Sequence, residues 1–190
     1  MRWWDAVAGR RRRPGNDLDA LFLVPSAVVT LQTTMGLRPT GSGGVCYRPA
    51  TGAAFDQVQG EVLALVDDTP EIPDDVTVTS DAFGFSWLVV RREPDETARL
   101  CTDLHAVNTT LEEHGFASGL LCSTVGFTDG TRQLALVYLY KQGTFYPFAP
   151  TGPQQRDNLV ERQVRDRLSA ELPMEQDLQR WLALWDAPVL

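Results

Sequence analysis

Apolar and polar positions follow two rhythms along this chain, and the switches between them divide it into helices and strands. The clearest helical stretch is Glu96–His114, where Leu100, Leu104, Val107 and Leu111 recur at spacings of four, three and four. That is one stripe on a helix of 3.6 residues per turn. Pro94 and Asp95 precede it and Gly115 follows, residues suited to a helix start and stop. Phe55, Val58, Val62, Leu65 and Val66 mark a second amphipathic helix over Ala53–Asp67. Asn16 or Asp17 can cap a third through Leu18, Leu21 and Phe22. Pro25 interrupts or restarts it, Val28, Leu31 and Met35 continue it, and Gly36 is a natural stop. Near the C-terminus, Arg156–Glu171 has Val160, Val164 and Leu168 in line. Met174–Trp185 then places Leu178, Trp181, Leu182 and Trp185 on one helical face, after a break at Leu172-Pro173.

The strand rhythm is strongest at Leu134–Tyr140. Leu134, Leu136, Tyr138 and Tyr140 fall on one face, and Ala135, Val137 and Leu139 on the other. A run apolar on both faces predicts a strand inside a sheet that is covered on both sides. Phe116–Phe127 is its partner across the Asp129-Gly130 turn. Val76–Arg92 reads as two strands or one bent strand, with SDAFG as the turn, and Val45–Arg48 as a short strand. GLRPTGSGG (36–44) and DDTPEIPDD (67–75) read as loops. The pattern predicts a basic, aromatic tail at 1–16 and a single α+β domain at 17–190. That domain is a mostly antiparallel β-sheet packed with helices, ending in two C-terminal helices.

Composition narrows the function classes. The formal net charge of −8 argues against nucleic acid as a partner, because phosphate binding needs a basic surface. Lys141 is the sole lysine among many arginines, a bias that fits a GC-rich genome. Cys46, Cys101 and Cys122 are widely spaced and odd in number, so free buried thiols are expected rather than a disulfide framework. No run reaches the roughly 18–20 apolar residues of a membrane span, and the arginines follow the first apolar segment instead of preceding it. A cytoplasmic location is expected. The opening segment has Trp3, Trp4 and then Arg10, Arg11, Arg12 and Arg13. It reads either as an anchor on anionic lipid or as a tail whose tryptophans dock on the body.

Candidate chemistry is sparse. Cys101, His105 and Asn108 share a helical face, the minimum for a thiolate–imidazole pair oriented by a third group. The bland alternative packs Cys101 beneath the helix with His105 at its border. Ligand spacing does not suit a metal, with His114 too far along the helix. The acid pairs Asp67/Asp68, Asp74/Asp75 and Glu112/Glu113 suit solvated positions, and GSGG at 41–44 lacks the lysine and helix of a phosphate loop. No cofactor is expected. The sharper candidate is GTFYPFAP (143–150), where Pro147 and Pro150 stiffen a corner bearing Phe145, Tyr146 and Phe148. These rings, with Trp181 and Trp185, are either a preorganised partner-binding surface or a cap on the core.

Several stretches together resemble the PspA-associated protein family (PspAB type) of actinobacteria and some archaea. They are LDALFLVPSAVVTLQ (18–32), GLRPTGSGGVCYRP (36–49), FSWLVVR (85–91), DLHAVNTTLEEHGF (103–116), YKQGTFYPFAP (140–150), RDN (156–158) and LPMEQDLQRWLALWDAPVL (172–190). The resemblance implies an accessory protein of PspA, the peripheral membrane coat protein of the phage-shock, envelope-stress response. It supplies no catalytic residue. The expected function is that of a non-enzymatic adaptor that binds a PspA-like coiled coil, peripheral to the inner membrane face. An acidic body favours a basic stripe on that partner. The alternatives are a client-binding module like the secretion-chaperone/YbjN domains, by fold analogy, and an enzyme using Cys101, His105 or Lys141.

Overall fold

The computed structural model describes residues 17–66 and 75–190, so the tail with Trp3, Trp4 and Arg10–Arg13 and most of the acidic loop lie outside the described residues. A 3-10 helix at Leu18–Leu23 leads into α1 (Val24–Met35), followed by β1 (Arg38–Tyr47) and α2 (Ala53–Val66). The hairpin β2 (Val76–Ser80) and β3 (Ser86–Arg91) precedes α3 (Thr97–Glu113). Then come β4 (Leu120–Thr128), β5 (Gln133–Leu139), β6 (Thr144–Phe148), a small β7–β8 hairpin (Pro150–Gly152, Gln155–Arg156) and α4 (Asn158–Leu168). Six strands form one antiparallel sheet in the order β2-β3-β1-β4-β5-β6. The α+β class and the antiparallel sheet are as the pattern predicts.

Local chemistry accounts for the element ends. Pro25 is the second residue of α1, where a missing N–H breaks no helical bond, so it starts the helix rather than interrupting it. Gly36 closes α1 at φ 71°, with its N–H on the Gln32 carbonyl. Asp157 caps α4 by accepting from the N–H groups of Leu159 and Val160. In the β2–β3 turn, Asp81 accepts from the N–H groups of Phe83 and Phe85 and from Trp87 Nε1.

Alternation along the strands builds two cores. Val45, Tyr47, Leu88, Val90, Leu136, Tyr138 and Phe145 face the helices, with α3 between α2 on one side and α1 on the other, and α4 beyond α1. Cys46, Trp87, Val89, Cys122, Val137, Tyr146 and Phe148 face the opposite way. That second face is covered by Trp181, Ala187 and Val189 of a C-terminal strap. The prediction that the 134–140 run is covered on both sides therefore holds.

Four expectations change. The stretch 36–44, expected as a loop, is mostly the first half of β1, at the centre of the sheet. Its glycines let both layers approach closely: a Cβ on Gly43 would lie 2.9 Å from the Thr124 carbonyl oxygen and 3.1 Å from a Leu100 methyl. On the other side, a Cβ on Gly44 would lie 3.2 Å from Val189 Cγ1. Second, Met174–Trp185 is not a helix; only Leu178–Arg180 makes a 3-10 turn. Its backbone is committed elsewhere: Phe145 donates to the Pro173 carbonyl and Glu175 donates to the Phe145 carbonyl, which extends the sheet past β6. Asp186, at φ 60°, breaks any helical continuation. Third, Leu65 is exposed and stands outside the buried stripe of α2, which is Phe55, Val58, Val62 and Val66. Fourth, the helical run Leu18–Met35 does have the length and mean hydropathy (1.4) of a candidate membrane span, although 33% of it is buried in this fold.

The crowding at β1 yields a test. Gly43→Ala forces the strand away from Thr124 or Leu100 and is expected to cost about 1–3 kcal/mol, the range for overpacking a filled core. Urea unfolding at matched m-value measures it; unchanged stability would show that the layers can part at no cost.

Candidate functional site

The aromatic corner is interior, so of its two readings, preorganised surface or cap on the core, the burial corrects the first and fits the second. Phe145, Tyr146 and Phe148 are 0–1% exposed because they alternate along β6, Phe145 facing the helices and Tyr146 and Phe148, two residues apart, facing the strap. Pro147 has no N–H to give, and β6 is the outermost of the six strands, the place where a sheet tolerates proline. Trp181 is buried too, its ring 6.0 Å from that of Tyr146 and its Nε1–H on the Glu175 carbonyl. Trp185 is half-buried, edge-on to Phe148 at 5.1 Å. Four of the five proposed contact residues, Tyr146, Phe148, Trp181 and Trp185, thus come together as the seam between β6 and the strap, while Phe145 lies on the other face of the sheet against Tyr138.

Arg156 fastens that seam. Its Nε donates to both Glu161 oxygens at 2.8 and 3.0 Å, and Nη1 donates to the Trp181 carbonyl at 2.8 Å. Its guanidinium lies 5.0 Å over the Phe148 ring, a cation–π contact. Glu161 also accepts from the Ala149 N–H. Burial raises the Glu161 pKa above the usual carboxylate value, and the bonds from Arg156 and Ala149 oppose that shift. The sequence reading missed this pair, because Asp157 and the helix start lie between its members and disguise their proximity.

Outside the seam the surface is apolar, edged by charges of both signs. Leu159 on α4 and Leu178 and Leu182 on the strap are 67%, 48% and 61% exposed. Leu178 shares a cavity of about 80 Å³ with Asn158, Arg162, Arg156, Glu161 and Trp181. Arg162 is exposed beside it, and Arg180 reaches Glu175 and Asp177 at 3.5 and 3.6 Å. Leu178 and Leu182, which the spacing places on one helical face with Trp181 and Trp185, and Leu159, which it does not single out, are exposed apolar groups of this end of the molecule.

The catalytic alternative loses its geometry. Cys101 is fully buried, and desolvation pushes its thiol up to about 12. His105 keeps its ring nitrogens on other partners: Nε2 is 3.3 Å from Asp19 Oδ1 and Nδ1 is 3.5 Å from Thr109 Oγ1. Asn108 donates instead to the Leu104 carbonyl and to Ser123 Oγ. Among the described residues no three His, Cys, Asp or Glu side chains are grouped to hold a metal ion. The structure also pairs two thiols that look distant in sequence: Cys46 and Cys122 sit directly opposite each other on β1 and β4. All three cysteines are free and buried, as expected. The hydrogen bond between Cys46 and Cys122, followed by burial, raises the Cys46 pKa strongly.

Two outcomes follow. Tyr146→Ala opens a cavity in the seam and is expected to lose roughly 3–5 kcal/mol, the range for removing a large buried aromatic; a fully stable variant would return the corner to the surface. Ellman's reagent should titrate almost no thiol in native protein at pH 8 and three in denaturant, since buried thiols are shielded from the reagent. One fast-reacting native thiol would reopen cysteine chemistry.

Comparison with known proteins is one-sided. No curated protein and no solved structure matches the chain. A family model does, described as PspA associated protein B, and it covers residues 1–189. Since that match spans nearly the whole sequence, including the strap and the seam, the chain belongs to the PspA associated protein B (PspAB) family.

Proposed function

We propose that this protein is a non-enzymatic accessory factor that binds a PspA-like coiled coil directly, in the cytoplasm at the inner membrane face. Membership of a family associated with PspA supports the accessory role. The observation that carries the contact is the surface outside the Arg156 seam, where Leu159, Leu178 and Leu182 stand exposed beside Arg162 and Arg180. Such a surface suits the apolar stripe on one face of a helix. The tail arginines Arg10–Arg13 and the tryptophans Trp3 and Trp4 supply the peripheral attachment to anionic lipid.

Titration of the purified protein with its PspA-like partner tests the contact. Leu178→Asp combined with Leu182→Asp is expected to weaken binding about tenfold or more, a loss of about 1.4 kcal/mol. Circular dichroism should be unchanged, since both side chains are exposed. Equal affinity of the variant would remove this surface from the interface. Suppressed aggregation of unrelated clients without stoichiometric partner binding would favour a chaperone instead.

A further inference from the structure

Two thiols with no part in the proposed contact face each other inside the sheet. Cys46 and Cys122 occupy directly opposed positions of β1 and β4, neighbouring strands at the middle of the sheet, and both lie on the face that the strap covers. Opposed positions of an antiparallel pair hold their Cα atoms roughly 4.5–5.5 Å apart, within the roughly 4.4–6.8 Å that a disulfide spans. A hydrogen bond already joins the two side chains. The third thiol, Cys101, sits on α3 in the helical core on the other side of the sheet, away from both.

The strap keeps this pair inert. Cys46 and Cys122 are 3% and 5% exposed, inside the cluster that Trp181, Ala187 and Val189 close. Val189 reaches Gly44, two residues along β1 from Cys46. Under that cover the hydrogen bond with Cys122, and then burial, hold the Cys46 thiol protonated, whereas the thiolate is the form that attacks an oxidant. The strap is also the part of the fold best suited to leave. Its regular structure is a single 3-10 turn, and Tyr146 and Arg156 tie it down by hydrogen bonds to the Leu182 and Trp181 carbonyls. Segments held by few bonds open locally while the rest of a domain stays folded.

We propose that Cys46 and Cys122 are an oxidation site gated by the C-terminal strap: when the strap lifts, hydrogen peroxide converts the pair to a disulfide between β1 and β4. One thiolate attacks a peroxide oxygen, the O–O bond breaks, and hydroxide leaves and takes up a proton as water. The sulfenic acid so formed is attacked by the second sulfur; its S–O bond breaks, the S–S bond forms and a second water leaves. Two thiols and one peroxide thus give one disulfide and two waters, the sulfurs losing the two electrons that the peroxide gains. The bond pins the centre of the sheet while its second face is open.

Full-length protein is treated with hydrogen peroxide, quenched, alkylated in denaturant and mapped by peptide mass. The free thiols should fall from three to one, with the peptides of Cys46 and Cys122 joined and Cys101 alkylated. Arg156→Gln, which weakens the tie to the Trp181 carbonyl, should form the bridge about tenfold or more faster than wild type. Wild type in urea below its unfolding transition should accelerate in the same way, so the test stands even where Arg156→Gln does not fold. Three thiols persisting in both the variant and urea, a bridge that includes Cys101, or sulfinic acid on a single cysteine would each overturn the pair. A wild-type bridging rate that neither urea nor Arg156→Gln raises would overturn the strap as its gate.

Discussion

A sheet that is apolar on both faces must be covered on both, and the described residues supply α-helices for only one of them. The rest of the architecture follows from that constraint. Four helices and the 3-10 turn close the first face over Val45, Leu136 and Tyr138. The second face, with Trp87, Val137 and Tyr146, is left to a strap with almost no regular structure. A segment without internal helical bonding needs its polar backbone satisfied from outside. Here Phe145 and Glu175 bond across the sheet edge, Tyr146 Oη donates to the Leu182 carbonyl, and Arg156 donates to the Trp181 carbonyl. The glycines of β1 are the complementary concession, since they thin the sheet where Leu100 and Val189 press from opposite sides.

Arg156 and Glu161 show why one ion pair can matter beyond its net energy. Burying two charges is costly, and mutual attraction alone often fails to offset it. This pair recovers the loss through bonds to groups that would otherwise lack partners, the Ala149 N–H and the Trp181 carbonyl. It joins β6, the β7–β8 hairpin, α4 and the strap at one point. The same joint hides the aromatic side chains of the second face and leaves Leu178 and Leu182 outside, so the exposed leucines are a consequence of how that face is closed.

How much of this was legible in the sequence depends on whether a segment's reasons were local. The α3 stripe of Leu100, Leu104, Val107 and Leu111, the Gly36 stop and the Asp129-Gly130 turn between β4 and β5 are local, and each could be read directly. The glycines at 41–44 looked like a loop because their justification is tertiary: the neighbours they admit come from 100, 124 and 189. Met174–Trp185 had helical spacing, yet its first residues pair with the β6 edge, a demand that periodicity cannot register. The candidate site suffered most. Aromatic content left 143–150 open between a contact surface and a cap on the core, which only burial decides, and the leucines that face solvent were indistinguishable from core leucines by type.

The strap has a further consequence for the order in which the molecule is made. Every strand of the six-stranded sheet lies earlier in the chain than Trp181, Ala187 and Val189, which cover its second face. The helical core can therefore close during synthesis while Trp87, Val89 and Val137 still face water. For that interval the nascent domain is one-sided, with a flat apolar sheet surface open to any neighbour. Its exposure to misassociation is set by how quickly translation delivers the final residues, a kinetic vulnerability that is absent once Arg156 has engaged the Trp181 carbonyl.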